Sequence, residues 1–201
     1  MDYEQPRANE RHKRILDAAL KVFSRKGYRD TAVDDIAEES ETSKGGVYFH
    51  FSGKQAIFLA LMDRAAAMLL RRIEDAIARE AEPLTRAEVA LHVVLRTFGA
   101  HRALARLFVV EALGAGREIH ARLMEIHEMF IHVMKHHLDE AVAAGAIDPV
   151  DTELAGRAWF GAVSEVITHW LLAERPAPLE DTYGALRPMI FRSVGAREPQ
   201  R

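Results

Sequence analysis

Cysteine is missing from all 201 residues, which excludes disulfides and thiolate metal sites and fits a cytoplasmic protein. No apolar run approaches the roughly 20 residues that cross a bilayer, so no membrane partner is expected. The opening MDYEQPRANERHKR is charged and lacks the apolar core of a secretion signal. Alternating, strand-like patterning is absent, as are internal repeats and low-complexity stretches; apolar residues recur instead at spacings of three and four. There is no nucleophile–base–acid pattern, no glycine-rich phosphate loop and no HExxH pair, so neither an enzyme nor a cofactor is expected.

What the chain does hold is 49% hydrophobic residues, enough for a substantial core. A net charge of −3 argues against a surface that binds nucleic acid all over. The basic residues are concentrated, however: Arg7, Arg11, Lys13, Arg14, Lys21, Arg25, Lys26 and Arg29 precede a dozen residues that are acidic in character. A basic end on a neutral-to-acidic remainder suits contact with a polyanion at one end only.

The periodicity predicts an all-α protein of about nine helices. The first runs from Asn9 to Lys26 and is stopped by Gly27, which is free to take the left-handed conformation. A second starts at Thr31 or Ala32, Glu41 and Thr42 form a turn, and Ser43 caps a third over Lys44 to His50. Ser52 is expected to cap a long fourth helix, Lys54 to Ala81. Helices follow over Thr85 to Phe98, from there to Leu113, Arg117 to Ala144, Pro149 or Val150 to Ala173 with Asp148 as cap, and Leu179 to Ser193. The tail from Gly195 to Arg201 is expected to fray. These elements predict a three-helix head, residues 1–53, and a larger body, residues 54–201.

The head has the spacing of a helix-turn-helix unit, whose second helix enters the major groove. Ile36, Ala37, Val47 and Phe51 face inward, leaving Ser43, Lys44, Gly45, Gly46 and Tyr48 outward. A helical hairpin with no ligand has the same spacing. The stretch DDIAEESETSKGGVYFHFSGKQAIF, together with FSRKGY before it, resembles the DNA-binding domain of the TetR family of transcriptional repressors. The likeness rests on Thr31, Ile36-Ala37, Ser43-Lys44-Gly45, Tyr48-Phe49-His50-Phe51 and Lys54, and covers about the first quarter of the chain.

That resemblance implies roles. Thr31 would meet a phosphate at the start of the second helix. Lys44 would read a base, since lysine pairs with guanine acceptors in the major groove. Tyr48 and His50 would hold phosphates through their polar tips, and Lys54 would do so by charge. The basic residues of the first helix would add sequence-independent attraction. Two departures stand out: glycine at position 46, where the family carries a small side chain, and Asp34-Asp35, read as a solvated or capping pair at the positive end of the helix dipole.

In the body, His132 and His136 lie one turn apart, a spacing that can hold a metal, but away from the apolar stripe. His137 falls at the centre of that stripe, where a buried imidazole either bonds within the core or points into a cavity. On the eighth helix Trp159, Val163, Val166, Ile167 and Trp170 gather on one side, and Leu154, Ala158, Gly161, Ala162, Glu165 and His169 on the other. The family pairs this helix and the last one with their copies across a two-fold axis, so Ala158, Gly161, Ala162, Glu165 and His169 are the expected dimer contacts. Two heads one DNA turn apart would then read a palindromic operator. The same small residues could instead seat the last helix of their own chain.

From LFVVEALG to AWFGAVSEVITHW the body is similar in pattern to the branch that senses long-chain fatty acyl-CoA and controls fatty-acid degradation. The effector would lie among Phe130, Met134, His137 and Trp159, with Arg102 or Arg106 meeting its phosphates. A regulator of the same kind with a drug-like or other hydrophobic ligand, a histidine-dependent metal protein and a helical protein adaptor are the alternatives.

Overall fold

Ile15, Ala18, Ala19, Val22 and Phe23 recur at helical spacing and are all buried, which makes α1 (Glu4–Lys26) the spine of the amino-terminal region. The computed structural model describes residues 4–196, with side chains described from residue 9, so Arg7's side chain and residues 197–201 lie outside the description. Gly27 ends α1 at φ +80°, donating to Phe23 O at 2.8 Å. Then follow α2 (Val33–Glu39), α3 (Lys44–His50), α4 (Lys54–Ile77), α5 (Pro83–Ala100), α6 (Arg102–Arg106), a π-helical turn (Leu107–Glu111) and a 3-10 turn (Ala112–Gly114). Then come α7 (Arg117–Ala143), α8 (Thr152–Leu172), a second 3-10 turn (Leu179–Thr182) and α9 (Tyr183–Arg192). No strand occurs among the described residues.

Several boundaries differ from expectation for local reasons. α5 opens on Pro83, whose missing N–H costs nothing at a first helical position, so this proline starts a helix where a break was expected. α8 begins at Thr152 because Asp151, not Asp148, accepts from Leu154 N at 3.0 Å. The sixth helix is interrupted: only Arg102–Arg106 is α-helical before the π turn. The last is a 3-10 turn followed by α9.

The chain divides into two compact units, Met1–Ala66 with Ala103–Leu123, and Ala67–Arg102 with Met124–Arg201. In the first, Val47 of α3 is fully buried, and Phe23 meets Phe58 edge-on with ring centroids 5.3 Å apart. Phe58 also packs on Tyr28 and Phe108. In the second, Gly156 of α8 lies where an added Cβ would stand 3.4 Å from Ile131 O and Lys135 N, so glycine permits the close approach of α7. Trp159 donates through Nε1 to Ser193 Oγ at 3.1 Å and packs on Phe191.

Candidate nucleic-acid interface

Ser43 accepts from Gly46 N at 3.1 Å through its hydroxyl oxygen, as expected of a cap, and sets the start of α3. Val47 anchors the helix inward at full burial, and Phe51 follows it into the core. Lys44, Gly45 and Tyr48 are consequently exposed, and Phe49 is 80% exposed. Gly45 has open space beyond its Cα. Gly46 does not: a Cβ there would stand 2.7 Å from Thr42 Cγ2, which accounts for the glycine where a small side chain was expected. Glu41 makes the turn before α3 at φ +51°, the left-handed region that favours glycine.

Thr31 is buried, and its hydroxyl donates to Gly27 O at 2.7 Å. Phosphate contact through that hydroxyl requires it to exchange this partner. Asp35 caps α2 by accepting from Ala32 N at 2.9 Å, in line with the capping role, and it also takes Lys26 Nζ at 2.7 Å; the bond to Lys26 is the main cause of its lowered carboxyl pKa. Asp34, read as solvated or capping, is exposed and pairs with Lys44, Nζ–Oδ1 2.9 Å. Glu39 takes Lys21 and Arg25. Three of the basic residues on α1 are thus matched by acids of α2, which confines the unmatched charge to fewer positions than the sequence count suggests.

Lys54 is half-buried and donates to two backbone carbonyls, Tyr28 O at 2.9 Å and Arg29 O at 3.0 Å, with its ammonium 4.7 Å from the Tyr28 ring centre. It therefore closes the end of α1 against the start of α4, a structural duty that its expected phosphate contact did not include. Glu111 completes the same corner: its Oε2 accepts from Tyr28 N at 3.0 Å, and a Cβ on Gly27 would approach it to 2.9 Å. Arg29 reaches Gly114 O, Gln55 meets Glu118 and Arg122 meets Asp63, all within the first unit.

His50 is half-buried, with Nε2 buried and without a hydrogen-bond partner among the described residues. His12 of α1 lies 6.1 Å away, ring centre to ring centre, and stacks on Phe51 at 4.7 Å. Burial lowers the His50 pKa, and the neighbouring charges of His12 and Arg11 add to that effect.

In the second unit, Arg102 is not an open cation. It donates to Trp170 O and Leu171 O, at 3.4 and 3.2 Å, and to Ala173 O, closing the carboxyl end of α8 where carbonyls lack helical partners. That is a structural duty which its expected phosphate contact did not include. Arg106 is exposed. His137 is not at the centre of the buried stripe of α7, which runs through Ile119, Leu123, Ile131, Leu138 and Ala141; it sits at the margin, with Nδ1 3.0 Å from Glu140 Oε2. That contact is the main cause of the lowered Glu140 pKa. Phe130 and Met134 are half-buried and Trp159 is buried. His132 and His136 are exposed, and no group of three or more metal-ligating side chains occurs among the described residues. On α8, Leu154, Ala158, Gly161, Glu165 and His169 are all exposed, Ala162 is half-buried, and Leu172 extends the same stripe at 58% exposure.

Residues 15–61 match the family described as bacterial regulatory proteins, tetR family, and residues 62–190 match the YsiA-like protein, C-terminal region. The fatty acid metabolism regulator protein of Bacillus subtilis is 23% identical over 166 residues, 82% of this chain and 86% of that protein. Among solved structures, the B. subtilis transcriptional regulator FadR in complex with stearoyl-CoA superposes with a TM-score of 0.82 at 21% identity, over 92% of this chain and 99% of that one. The fatty acid degradation regulator FadR of Bacillus halodurans gives the same TM-score at 20% identity, over 92% and 99%.

Proposed function

This chain belongs to the TetR family of bacterial transcriptional regulators, DNA-binding proteins and not enzymes, and from that premise we propose that it is a homodimeric repressor released from a palindromic operator by an apolar effector. In this reading residues 1–53 carry the DNA-facing surface and 54–201 the effector and pairing surfaces, and the protein acts in the cytoplasm, where its operator lies. The observation that carries it is α3, pinned by buried Val47 so that Lys44, Gly45 and Tyr48 face solvent together. Lys44 reads a base. Ser43 and the glycine pair let the backbone approach the groove, while Tyr48, His50, Thr31 and Lys54 work on or behind the phosphates. With so spare a recognition helix, DNA shape and the spacing of two heads contribute much of the specificity.

The pairing surface is the outer stripe of α8, where Leu154, Ala158 and Gly161, with half-buried Ala162, present apolar and small groups to solvent in a monomer beside exposed Glu165 and His169. The effector is a long-chain fatty acyl-CoA, a ligand supported by the stearoyl-CoA bound to the B. subtilis regulator. Also in its favour, apolar side chains of α5, α7 and α8, among them Val93, Val94, Phe98, Phe130, Val133 and Phe160, are only half-buried. A drug-like hydrophobic ligand is the second reading of the same apolar surface.

Selection of full-length protein against a random-sequence duplex library tests the operator, and stearoyl-CoA added to the complex tests the effector. Recovery of an inverted repeat that the acyl-CoA dissociates at micromolar concentration is expected. A library that yields no enriched site refutes the repressor, and an enriched complex indifferent to acyl-CoA of every chain length refutes the effector.

A further inference from the structure

α2 carries Asp34, Asp35 and Glu39, and each meets a cation. Two of these carboxylates turn to α1. Asp34 alone turns to the DNA-facing helix: Lys44 Nζ lies 2.9 Å from Oδ1 and 3.0 Å from Oδ2, a contact that spans the turn between the two helices. Both side chains are more than half exposed, so the pair is open to exchange. Asp34 sits one position into α2, and no backbone group of the helix is among its partners; the capping bond belongs to Asp35. The contact with Asp34 also raises the Lys44 pKa, so the ammonium stays charged while it is held.

We propose that Asp34 is a specificity-determining residue, which holds the Lys44 ammonium away from non-cognate DNA and yields it only to a base acceptor of the operator. The inference rests on Lys44 as the base reader. A lysine that releases one counterion on any duplex tightens binding to all sequences alike and so adds nothing to discrimination. Paired with Asp34, Lys44 carries little net charge towards a phosphate. Guanine, with two neighbouring acceptors O6 and N7 at its major-groove edge, takes the ammonium by two hydrogen bonds, whereas cytosine, which presents only a donor there, leaves the pair closed. Discrimination then comes from an internal competitor that penalises the wrong site, as well as from attraction to the right one.

The test uses the full chain and two duplexes: one recovered by selection from a random library with the wild-type protein, and one of equal length and composition with its sequence shuffled. Asp34→Asn is expected to tighten binding to the shuffled duplex about two- to fivefold, the range of an exposed pair, and to steepen its log–log salt slope by about one. The selected duplex gains less, so the ratio between the two falls. Asp34→Glu keeps the ratio near that of the wild type. Glu39→Gln, which removes the same charge from α2 without touching Lys44, leaves the ratio unchanged. In a Lys44→Gln background Asp34→Asn no longer alters it.

Equal tightening on both duplexes overturns the proposal, because that is the signature of charge removal alone. So does an undiminished effect in the Lys44→Gln background. The underlying reading fails separately: if Lys44→Gln by itself leaves the ratio unchanged, lysine reads no base and Asp34 has nothing to gate. If Lys44→Gln lowers the ratio and Asp34→Asn does not, only the role of Asp34 falls.

Discussion

Around Tyr28 the polar groups of the first unit are tied to named partners. The Tyr28 amide goes to Glu111, its carbonyl to Lys54, the Thr31 hydroxyl to Gly27 O, and Asp35 serves Ala32 N. Along α5, α7 and α8 of the second unit charged side chains are paired as well, Arg86 with Glu140 and Arg157 with Glu128, but many apolar side chains are left half-covered. A corner cross-tied in this way holds a fixed shape, as a reader of DNA must. Apolar surface that its own chain does not cover is suited to a guest or a second copy. The difference between the units is therefore one of unfinished business, and it can be probed from either side.

The largest effect is expected at the pairing surface. Gly161 is exposed and an added Cβ meets nothing within 4 Å, so Gly161→Arg leaves the monomer fold intact. It should place a charge at the centre of the proposed interface, give a monomer in sedimentation analysis, and lower operator affinity by about 100- to 10,000-fold through loss of the second head. A variant that stays dimeric and binds normally would move the pairing surface elsewhere.

Lys54→Ala asks whether the cross-tied corner is structural. Loss of a charged donor to two carbonyls should destabilise the protein by about 2 kcal/mol, a fall of several degrees in Tm. If Lys54 served phosphates alone, Tm would hold and only the salt slope of DNA binding would shrink by about one.

His50 probes the edge between the corner and solvent. Burial, helped by His12 and Arg11, depresses its pKa in the folded chain. The unfolded chain then binds this proton more readily, so the contribution of His50 to stability falls as pH drops below the ordinary imidazole value. A phosphate placed against the ring acts in the opposite sense by favouring imidazolium. Operator affinity measured between about pH 7.5 and 6 should therefore rise slightly on acidification, and His50→Asn should flatten the rise; an unchanged slope in that variant removes His50 from the phosphate contacts. The smallest effect is expected at Glu41, held at φ +51°. Glu41→Gly relieves that conformation, a stabilisation of about 0.5–1 kcal/mol once the entropy of glycine is set against it, visible as a rise in Tm with DNA binding unchanged.

Local signals are legible in the sequence, and distant ones are not. Lys44 to His50 was placed to the residue because Ser43 and the burial of Val47 act within one or two turns, and Gly27 announced the end of α1 for the same reason. The partner of Glu111 is not legible in the sequence, because it lies 83 residues away. For Lys54 and Arg102 the sequence shows the charge but not the carbonyls that receive it. Asp148 before Pro149 has the pattern of a cap, and only the course of the chain shows that Asp151 fills that place. For the apolar body, the sequence spoke of composition, while the degree of cover over Phe130 or Val93 depends on what packs against them.

The corner at Gly27 has a consequence for anyone who would recombine such regulators. A hybrid joined at the seam near residue 62, with this chain's amino-terminal part and another protein's body, keeps Gly27, Tyr28 and Arg29 but exchanges Glu111 and Gly114 for strangers. Its inherited helices would be intact and its amide at Tyr28 bereft of an acceptor. A transplant that carries the stretch from 103 to 123 along with the first 66 residues travels with its own hinge pins, and offers the smaller graft that can be expected to take.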